Sequence, residues 1–206
     1  MIQIFRVILL SIFIFFSCSD NPEQKDCAGV VGGSNVCGCR DPLALNFDSL
    51  ATVDGNNCIF PEVVSLWGID YVVTNTTEIV IEDSSLSGDI PKEIGYLSNL
   101  IVLDLSNNQI TGNIPSEIGR LVQLTVLDLS SNQISGNIPE DVGNLVELTR
   151  LDFTQNSLSG VVPLEICNQG DITPSLMYNK LCPPYPSCIN EVFFLAQDTS
   201  DCNIIF

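Results

Sequence analysis

The chain contains no histidine, and its 7 Lys plus Arg are outnumbered by 25 Asp plus Glu. Histidine is the commonest general base and metal ligand near neutral pH, so its absence removes the usual catalytic triads and most zinc sites. The sequence also lacks the G-x-S-x-G and G-x-x-x-x-G-K-[ST] motifs of hydrolases and nucleotide-binding loops. A formal net charge of −18 disfavours nucleic acid and anionic lipid headgroups as partners and favours basic or neutral ones.

Long apolar runs are scarce too. The run Val7–Phe16, preceded by Arg6, is too short for a comfortable membrane span. It predicts a signal peptide over residues 1–17. The end of this run resembles a bacterial lipobox with Phe15 in place of the usual Leu, which implies that Cys18 is the lipidated first residue of the mature protein. Cleavage by an ordinary signal peptidase, or an uncleaved anchor, is the alternative.

Cysteine is absent between Glu62 and Glu165. Apart from Cys18, the eight cysteines form one set of four before this stretch and one set of four after it: Cys27, Cys37, Cys39 and Cys58, then Cys167, Cys182, Cys188 and Cys202. Even sets are typical of disulfides in an exported protein. Spacing alone leaves three pairings open in each set. Zinc is the less favoured interpretation, because C-x-C spacing is unusual for zinc and no histidine is present.

A 24-residue pattern occupies the stretch that lacks cysteine. Its blocks start at Leu100, Leu124 and Leu148 and contain no insertion. Such a period predicts stacked units that share one core. In the first block, Leu103-Asp104-Leu105 alternates as a half-buried strand does, with both leucines inward. Stacked strands of this kind form a parallel sheet.

Other repeated residues have structural explanations as well. The asparagine that recurs in each block is expected to hydrogen-bond backbone groups of its own turn and of the next turn. Each glycine permits tight or left-handed backbone, and each proline ends an extended segment. The residues concerned are Asn108, Asn132 and Asn156, Gly112, Gly136 and Gly160, and Pro115, Pro139 and Pro163.

The shared pattern L-x-x-L-x-L-x-x-N-x-[LI]-x-G-x-[IV]-P resembles the plant-type, extracellular leucine-rich repeat. The G-x-I-P motif is present at Gly112–Pro115 and Gly136–Pro139, and Val162 replaces Ile in the third block. A degenerate block directly before Leu100 fits the same register, with Ser84 at the position of the asparagine. A truncated fifth block begins near Ile172. The resemblance implies an α/β-type repeat solenoid, right-handed and short, with a parallel β-sheet on its concave face and disulfide-rich caps at both ends.

The segment from Gly38 to Cys58 resembles cysteine-rich modules of exported marine bacterial proteins. That resemblance implies a disulfide between Cys39 and Cys58, which leaves Cys27 for Cys37. The last cysteines, from Cys182 to Cys202, resemble the terminal piece of bacterial proteins that carry such repeats. The expected organisation is a signal peptide at 1–17, a polar tether at 18–26, a cysteine-rich module at 27–60, an N-terminal cap at 61–75, four repeats at 76–171, and a truncated repeat with a C-terminal cap at 172–206.

Repeat register gives the outward positions of the sheet, and these form the candidate binding surface. They are Glu78, Val80, Val102, Asp104, Ser106, Asn107, Val126, Asp128, Ser130, Ser131, Arg150, Asp152, Thr154 and Gln155. Val102 and Val126 are expected side by side as exposed apolar residues. Asp104, Asp128 and Asp152 are expected as a solvated structural column about 4.8 Å apart. Binding of a cation or basic partner, or glycosidase chemistry, is the alternative for this column.

The sequence thus predicts a non-enzymatic, monomeric binding protein on a bacterial outer membrane or cell surface, without cofactor or metal. Its expected partner is a protein or glycan outside the cell, and its only membrane contact is a lipid anchor. Three alternatives remain open. They are an inhibitor of an extracellular hydrolase, a calcium-dependent structural surface component that uses the aspartate column with Asp41, Asp48 and Asp54, and a glycosidase that uses the aspartate column. A secreted protein is the alternative to an anchored one.

Overall fold

The cysteines before the repeats and the repeats themselves lie in different units of the structure. The computed structural model describes residues 26–30, 33–171, 173–189 and 196–202. Contacts divide the chain into Met1–Ile59 and Phe60–Phe206. The predicted signal peptide, Cys18 and nearly all of the predicted tether lie outside the described residues.

Two disulfides hold the first unit together. Cys27 bonds to Cys37, and Cys39 bonds to Cys58, which are the pairs that the module resemblance implies. The regular structure is one parallel pair of two-residue strands, β1 (Cys37–Gly38) and β2 (Val53–Asp54). Few side chains are buried besides Cys39, Leu43 and Ala44. A core this small depends on cross-links for its stability.

Asp26 organises the loop before β1. Its Oδ1 accepts hydrogen bonds from the N–H groups of Ala28 and Val30 at 3.0 and 2.8 Å. Its Oδ2 accepts from the N–H and the side-chain amide of Asn35 at 3.2 and 2.6 Å. Burial by itself would raise the pKa of Asp26, but the hydrogen bonds together lower it below the ordinary 3.8, because every donor favours the charged carboxylate.

We expect Asp26 to titrate below pH 3.8. A carboxyl whose pKa is lowered by folding stabilises the folded protein fully when the pH is above the pKa of that group in the unfolded chain. This stabilisation is lost as the pH falls through the pKa of the group in the folded protein. The loop should therefore stay closed above pH 3.8 and loosen below it. Amide chemical shifts of Ala28 and Val30, followed by NMR as the pH is lowered, report the midpoint. The Asp26→Asn variant should abolish the transition, and a midpoint at or above 3.8 in the native chain would contradict the assignment.

An antiparallel hairpin begins the second unit. Its strands are β3 (Val63–Leu66) and β4 (Ile69–Val72). Trp67 and Gly68 both have positive φ, as a two-residue hairpin turn requires. Val64 and Leu66 alternate inward and join the hydrophobic core of the repeats. The indole Nε1 of Trp67 donates to the carbonyl of Asp89 at 3.0 Å, so the hairpin covers the first repeat.

Two rows of short parallel strands follow. The first row is a four-stranded sheet of β5 (Glu78–Val80), β7 (Val102–Asp104), β9 (Val126–Asp128) and β11 (Arg150–Asp152), in the order β11-β9-β7-β5. In the second row β6 (Ser87–Asp89) pairs with β8 (Gln109–Thr111), and β10 (Ser135–Gly136), β12 (Ser157–Val161) and β13 (Lys180–Cys182) form a three-stranded sheet. Ile79, Leu103, Leu127 and Leu151 are paired in register. The predicted parallel sheet is confirmed.

A short 3-10 helix follows each of the second-row strands β6, β8, β10 and β12 in the chain. The four helices are η1 (Lys92–Tyr96), η2 (Ser116–Arg120), η3 (Glu140–Asn144) and η4 (Leu164–Cys167), and an extended proline precedes each of them. These helices pack so closely that Gly119 has no room for a side chain, since a Cβ there would overlap the backbone of Asp141 in the next helix. Leucine and isoleucine side chains fill the space between helices and strands.

The asparagine side chains join each turn to the one before it. The Nδ2 group of Asn132 donates to the carbonyls of Leu105, Leu129 and Ser130 at 2.9, 3.1 and 3.2 Å. Its Oδ1 accepts from the N–H of Ile110 at 3.0 Å. The amide thus bonds its own and the preceding turn, and the expected direction toward the next turn was wrong. The reason is that backbone groups of one turn, such as the carbonyl of Leu105 and the N–H of Ile110, face the asparagine side chain of the following turn.

The same geometry extends past the third block. Asn179 occupies the asparagine position after a turn one residue shorter, and it bonds Phe153 and Leu158 of the preceding turn. After it, Gln197 supplies the equivalent amide. Its Oε1 accepts from the N–H of Leu181, and its Nε2 donates to the carbonyl of Leu176. Disulfides between Cys167 and Cys188 and between Cys182 and Cys202 fasten this end.

Candidate binding surface

The outward positions of the four-stranded sheet form a set that we call the sheet face. Each position repeats from strand to strand in register. One column contains Glu78, Val102, Val126 and Arg150, and the next contains Val80, Asp104, Asp128 and Asp152. Ser106, Ser130 and Thr154 follow the strands, and Asn107, Ser131 and Gln155 occupy the turns after them. The structure therefore brings the predicted positions together on one side of the second unit.

Exposure varies strongly across the sheet face. Val80 is 57% exposed, because β5 is an edge strand. Val102 and Val126 were expected to be exposed, but they are half-buried, since neighbouring strands flank them on both sides at about 4.8 Å. Ser106 and Asp128 were expected to face outward and are only 4% and 3% exposed. The accessible apolar centre is thus Val80, not the predicted valine pair.

The three aspartates each close the end of their own strand. Asp104 Oδ1 accepts from the N–H and the hydroxyl of Ser106 at 3.0 and 2.7 Å. Asp128 Oδ1 accepts from Ser130 in the same manner at 2.9 and 2.6 Å. Asp152 Oδ1 accepts from the N–H of Thr154 at 3.0 Å. These bonds satisfy backbone donors that the strand leaves open.

Arg150 explains why Asp128 is buried. Its guanidinium lies 2.5 Å from Asp128 Oδ2 and 3.6 Å from Asp152 Oδ2. The equivalent positions one and two turns earlier are Val126 and Val102, which cannot form this pair. Both carboxylate oxygens of Asp128 are therefore engaged within the protein. This is the geometry of a structural carboxylate, and the column is less solvated than we predicted.

The second group of aspartates considered for calcium lies in the first unit. Asp41, Asp48 and Asp54 each accept a hydrogen bond at Oδ1 from the N–H two residues ahead. Each therefore caps a separate turn. Within the described residues, no three or more Asp, Glu, Cys or His side chains are grouped as a metal ion would require.

A second concave region of the Phe60–Phe206 unit was not predicted. An open cleft of about 290 Å³ is lined by Phe60, Val73, Gly95, Tyr96, Ser98 and Arg120. The repeat pattern does contain a weak indication of it. The position occupied by Tyr96 and Arg120 at the ends of η1 and η2 is asparagine at the equivalent places in the next two turns, Asn144 and Asn168.

The anchor predictions cannot be placed on this surface. The proposed lipidation site Cys18 and residues 1–17 lie outside the described residues. Among the residues that are described, no helix combines the length and apolarity needed to cross a membrane.

Comparison with known proteins identifies the repeats. A model of the leucine-rich repeat family matches residues 74–134, and a second leucine-rich-repeat model matches residues 147–169. No curated protein matches the sequence.

Solved structures of plant receptors resemble the same region. The ectodomain of the Arabidopsis thaliana receptor kinase GASSHO1/SCHENGEN3, solved with CASPARIAN STRIP INTEGRITY FACTOR 2, is 36% identical over 54% of this chain and 14% of its own, with a TM-score of 0.53. The plant peptide hormone receptor RGFR1, solved with RGF2, is 36% identical over 53% of this chain and 18% of its own, with a TM-score of 0.51. The Arabidopsis receptor kinase HAESA, solved with the peptide hormone IDA and the co-receptor SERK1, is 40% identical over 52% and 18%, with a TM-score of 0.50.

This chain therefore spans less than a fifth of the length of each of those three structures. The likeness concerns the repeats and their stacking. Together with the parallel sheet described above, the matches show that residues 74–134 and 147–169 are leucine-rich repeats and that the fold is a leucine-rich-repeat solenoid with disulfide bonds.

Proposed function

We propose that this chain is a non-enzymatic binding module that acts outside the cell and takes a short, extended peptide segment on its sheet face. The observation that carries the proposal is the exposed edge of that face, where Val80 stands between the exposed Glu78 and Glu82. Three plant structures of the same fold were solved with protein or peptide partners, which supports a polypeptide ligand over a glycan.

The size of the sheet face favours a short ligand. Four strands about 4.8 Å apart give a face on the order of 200–350 Å². A stable interface between folded proteins takes roughly 800 Å² from each partner. An extended peptide of about six residues spans the face, because an extended chain advances about 3.3 Å per residue. A larger partner would need the caps as well.

Charge on the sheet face sets the direction of the ligand. Glu78, Glu82 and Asp83 are exposed at the β5 end. Toward the β11 end, Arg150 is paired with Asp128. A ligand with a Lys or Arg near β5 and an apolar side chain over Val80 complements this surface. The overall charge of −18 increases the rate at which such a basic segment associates.

Selection of displayed peptides tests the proposal. Random peptides of about 12 residues, roughly twice the length that spans the face, are selected against the immobilised chain. Their affinities are then measured for the native protein, for Val80→Arg and for the control Val146→Arg. Val80 and Val146 are equally exposed at 57%, but Val146 follows η3 and does not lie on the sheet face. We expect Val80→Arg to weaken binding about tenfold or more, and Val146→Arg to leave it within about twofold.

Each outcome decides the matter. Equal losses in both variants, or no loss in either, would place the ligand elsewhere. Peptides without Lys or Arg would remove the argument from charge. Binding of neutral oligosaccharides on an array, with no peptide selected, would replace the peptide proposal by the glycan alternative.

We propose further that the protein is exported and held by lipid on Cys18, at the outer membrane or surface of a bacterium. The four disulfides of the described residues support export. Intact mass of the chain expressed in a bacterial host with its native leader tests the anchor. A diacylated or triacylated mature chain beginning at Cys18 is expected. A mature chain that begins elsewhere, with Cys18 removed or unmodified, would favour the secreted alternative.

A further inference from the structure

The turn positions of the sheet face continue past it at both ends. We call the whole set the turn row, and its members, all with positive φ, are Asp83, Asn107, Ser131, Gln155 and Tyr178. Neighbouring members are joined through the backbone, as where the N–H of Asn156, the residue after Gln155, donates to the carbonyl of Tyr178 at 3.2 Å. Their side chains meet as well, since Ser131 Oγ donates to Gln155 Oε1 at 2.7 Å. The turn row is therefore one continuous strip beyond the ends of the strands.

Tyr178 ends the turn row and is the aromatic member of it. The residue is 55% exposed, although a φ of 55° is an unfavourable backbone conformation for a bulky side chain. The other four members are aspartate, asparagine, serine and glutamine, which are all polar. An aromatic ring that is more than half exposed contributes little to the core, so packing does not explain the tyrosine. A strained and exposed aromatic residue indicates contact with a ligand.

The opposite end of the turn row is acidic. Asp83 is exposed there, and Glu82 beside it is exposed as well. The three middle members carry no charge, so within the row the carboxylate lies at this end alone. Asn107 and Gln155 are exposed and have side-chain amides, which can bond the backbone of an extended ligand. The row thus presents an acidic end, a polar middle and an aromatic end.

The length of the turn row fixes the spacing of the groups that fit its two ends. Members on neighbouring turns are about 4.8 Å apart, so the row from Asp83 to Tyr178 is about 19 Å long. An extended peptide advances about 3.3 Å per residue, and residues six positions apart therefore lie about 20 Å from each other. A peptide of about seven residues spans the row from end to end.

We propose that the peptide ligand lies along the turn row, with a Lys or Arg on Asp83 and Glu82 and an aromatic residue, six positions away, against Tyr178. This inference rests on the peptide-binding function proposed above and specifies the two groups that the peptide carries. A cation at the first end gains from the exposed carboxylates, and an aromatic ring at the other end gains apolar and ring contacts. A neutral glycan would use only the second of these contacts.

Three synthetic peptides of identical composition test the spacing on the full chain. Two of them carry Lys and Trp six positions apart, as acetyl-Lys-Ser-Thr-Ser-Thr-Ser-Trp-amide and as the reversed sequence. The third, acetyl-Ser-Thr-Ser-Lys-Trp-Thr-Ser-amide, has the two residues adjacent. Affinities come from NMR titration of the amides of Asp83, Gln155 and Tyr178. We expect at least one spaced peptide to bind about tenfold more tightly than the adjacent one, because only a spaced peptide contacts both ends at once.

Two variants assign the ends. Tyr178→Asn introduces the residue type that Asn107 already provides in this row, so it keeps the backbone conformation, and it should weaken the spaced peptide about tenfold. Asp83→Asn should weaken it about threefold, and added salt should remove that difference. Leu164→Asn and Glu147→Gln are the controls, since both residues are exposed and lie outside the turn row. They should leave the affinity within about twofold.

The outcomes separate this inference from the function on which it rests. Equal binding of spaced and adjacent peptides, or equal losses in the control variants, would overturn the two-ended contact. If peptides selected on the chain lose affinity in Val80→Arg but not in Tyr178→Asn or Asp83→Asn, the proposed function stands and this inference fails. If neither the selected nor the synthetic peptides bind, both fail. Binding of cellohexaose that is lost in Tyr178→Asn, with no peptide bound, would assign Tyr178 to a glycan instead.

Discussion

Replacing Asn132 by alanine should destabilise the repeats by about 2–4 kcal/mol, because one amide serves four backbone groups there. Its Nδ2 satisfies the carbonyls of Leu105, Leu129 and Ser130, and its Oδ1 satisfies the N–H of Ile110. Alanine leaves the N–H of Ile110 without its acceptor. Each of the three carbonyls loses one of two hydrogen bonds, because Leu105, Leu129 and Ser130 also accept from Asn108 Nδ2, Asn156 Nδ2 and the N–H of Asn107. Urea unfolding followed by circular dichroism measures the loss.

Asn144 provides the control for this experiment. It lies in the same turn, at the end of η3, and its side chain is exposed. We expect Asn144→Ala to change stability by less than about 0.5 kcal/mol. Asn132→Asp adds a second test, since aspartate keeps the acceptor and loses the donors. It should be at least as damaging as alanine at neutral pH. Equal stabilities of the Asn132→Ala and Asn144→Ala proteins would show that the amide does not hold the turns together.

Adding a single methyl group at Gly119 should cost about 1–3 kcal/mol or more. The new Cβ would overlap the carbonyl oxygen of Asp141 and lie 2.6 Å from its Cβ. The obstacle is mainly backbone, so it cannot rotate away as a flexible side chain would. The two helices η2 and η3 must therefore separate, which opens the core beneath them. Thermal or urea unfolding of Gly119→Ala measures the effect.

Gly88→Ala is the matched comparison, because a Cβ on Gly88 would meet nothing within 4 Å. Gly88 has a φ of 94°, so its substitution tests backbone strain alone, at a cost of about 1 kcal/mol. Gly119 does not have this left-handed conformation. Steric exclusion predicts that Gly119→Ala is the more damaging of the two. The reverse order would mean that the helices tolerate a wider spacing.

The strands and the core could be predicted from the sequence because their causes are local and repeated. Leu103 and Leu105 alternate around Asp104, and the same alternation returns every 24 residues, so period and inward side follow directly. Gly112 also has the predicted left-handed φ, at 69°.

Features that depend on contacts between turns were harder to predict. The burial of Asp128 depends on its pairing with Arg150. The two residues are 22 positions apart in the sequence, and no local pattern indicates that they pair. The residue before each of the five amides also has positive φ, although none of the five is glycine: Asn107, Ser131, Gln155, Tyr178 and Ala196. Asp83, before Ser84 at the same repeat position, shares this conformation. In Asp83, Asn107, Ser131 and Gln155 the N–H donates to a carbonyl of the next turn, as in the bond from Ser131 N–H to the carbonyl of Thr154. The role of Gln197 is hidden for the same reason, since it lies outside the repeat register.

The backward direction of the asparagine bonds has a consequence for how the protein is made. A chain that emerges from the ribosome or an export channel with its N-terminus first presents each turn before the amide that completes it. Every asparagine that arrives satisfies the turn already outside, so order can spread in the direction of synthesis with only the newest turn left open. Gln197 arrives last and closes the final turn. Vectorial emergence and the bonding pattern of the repeats therefore run in the same direction.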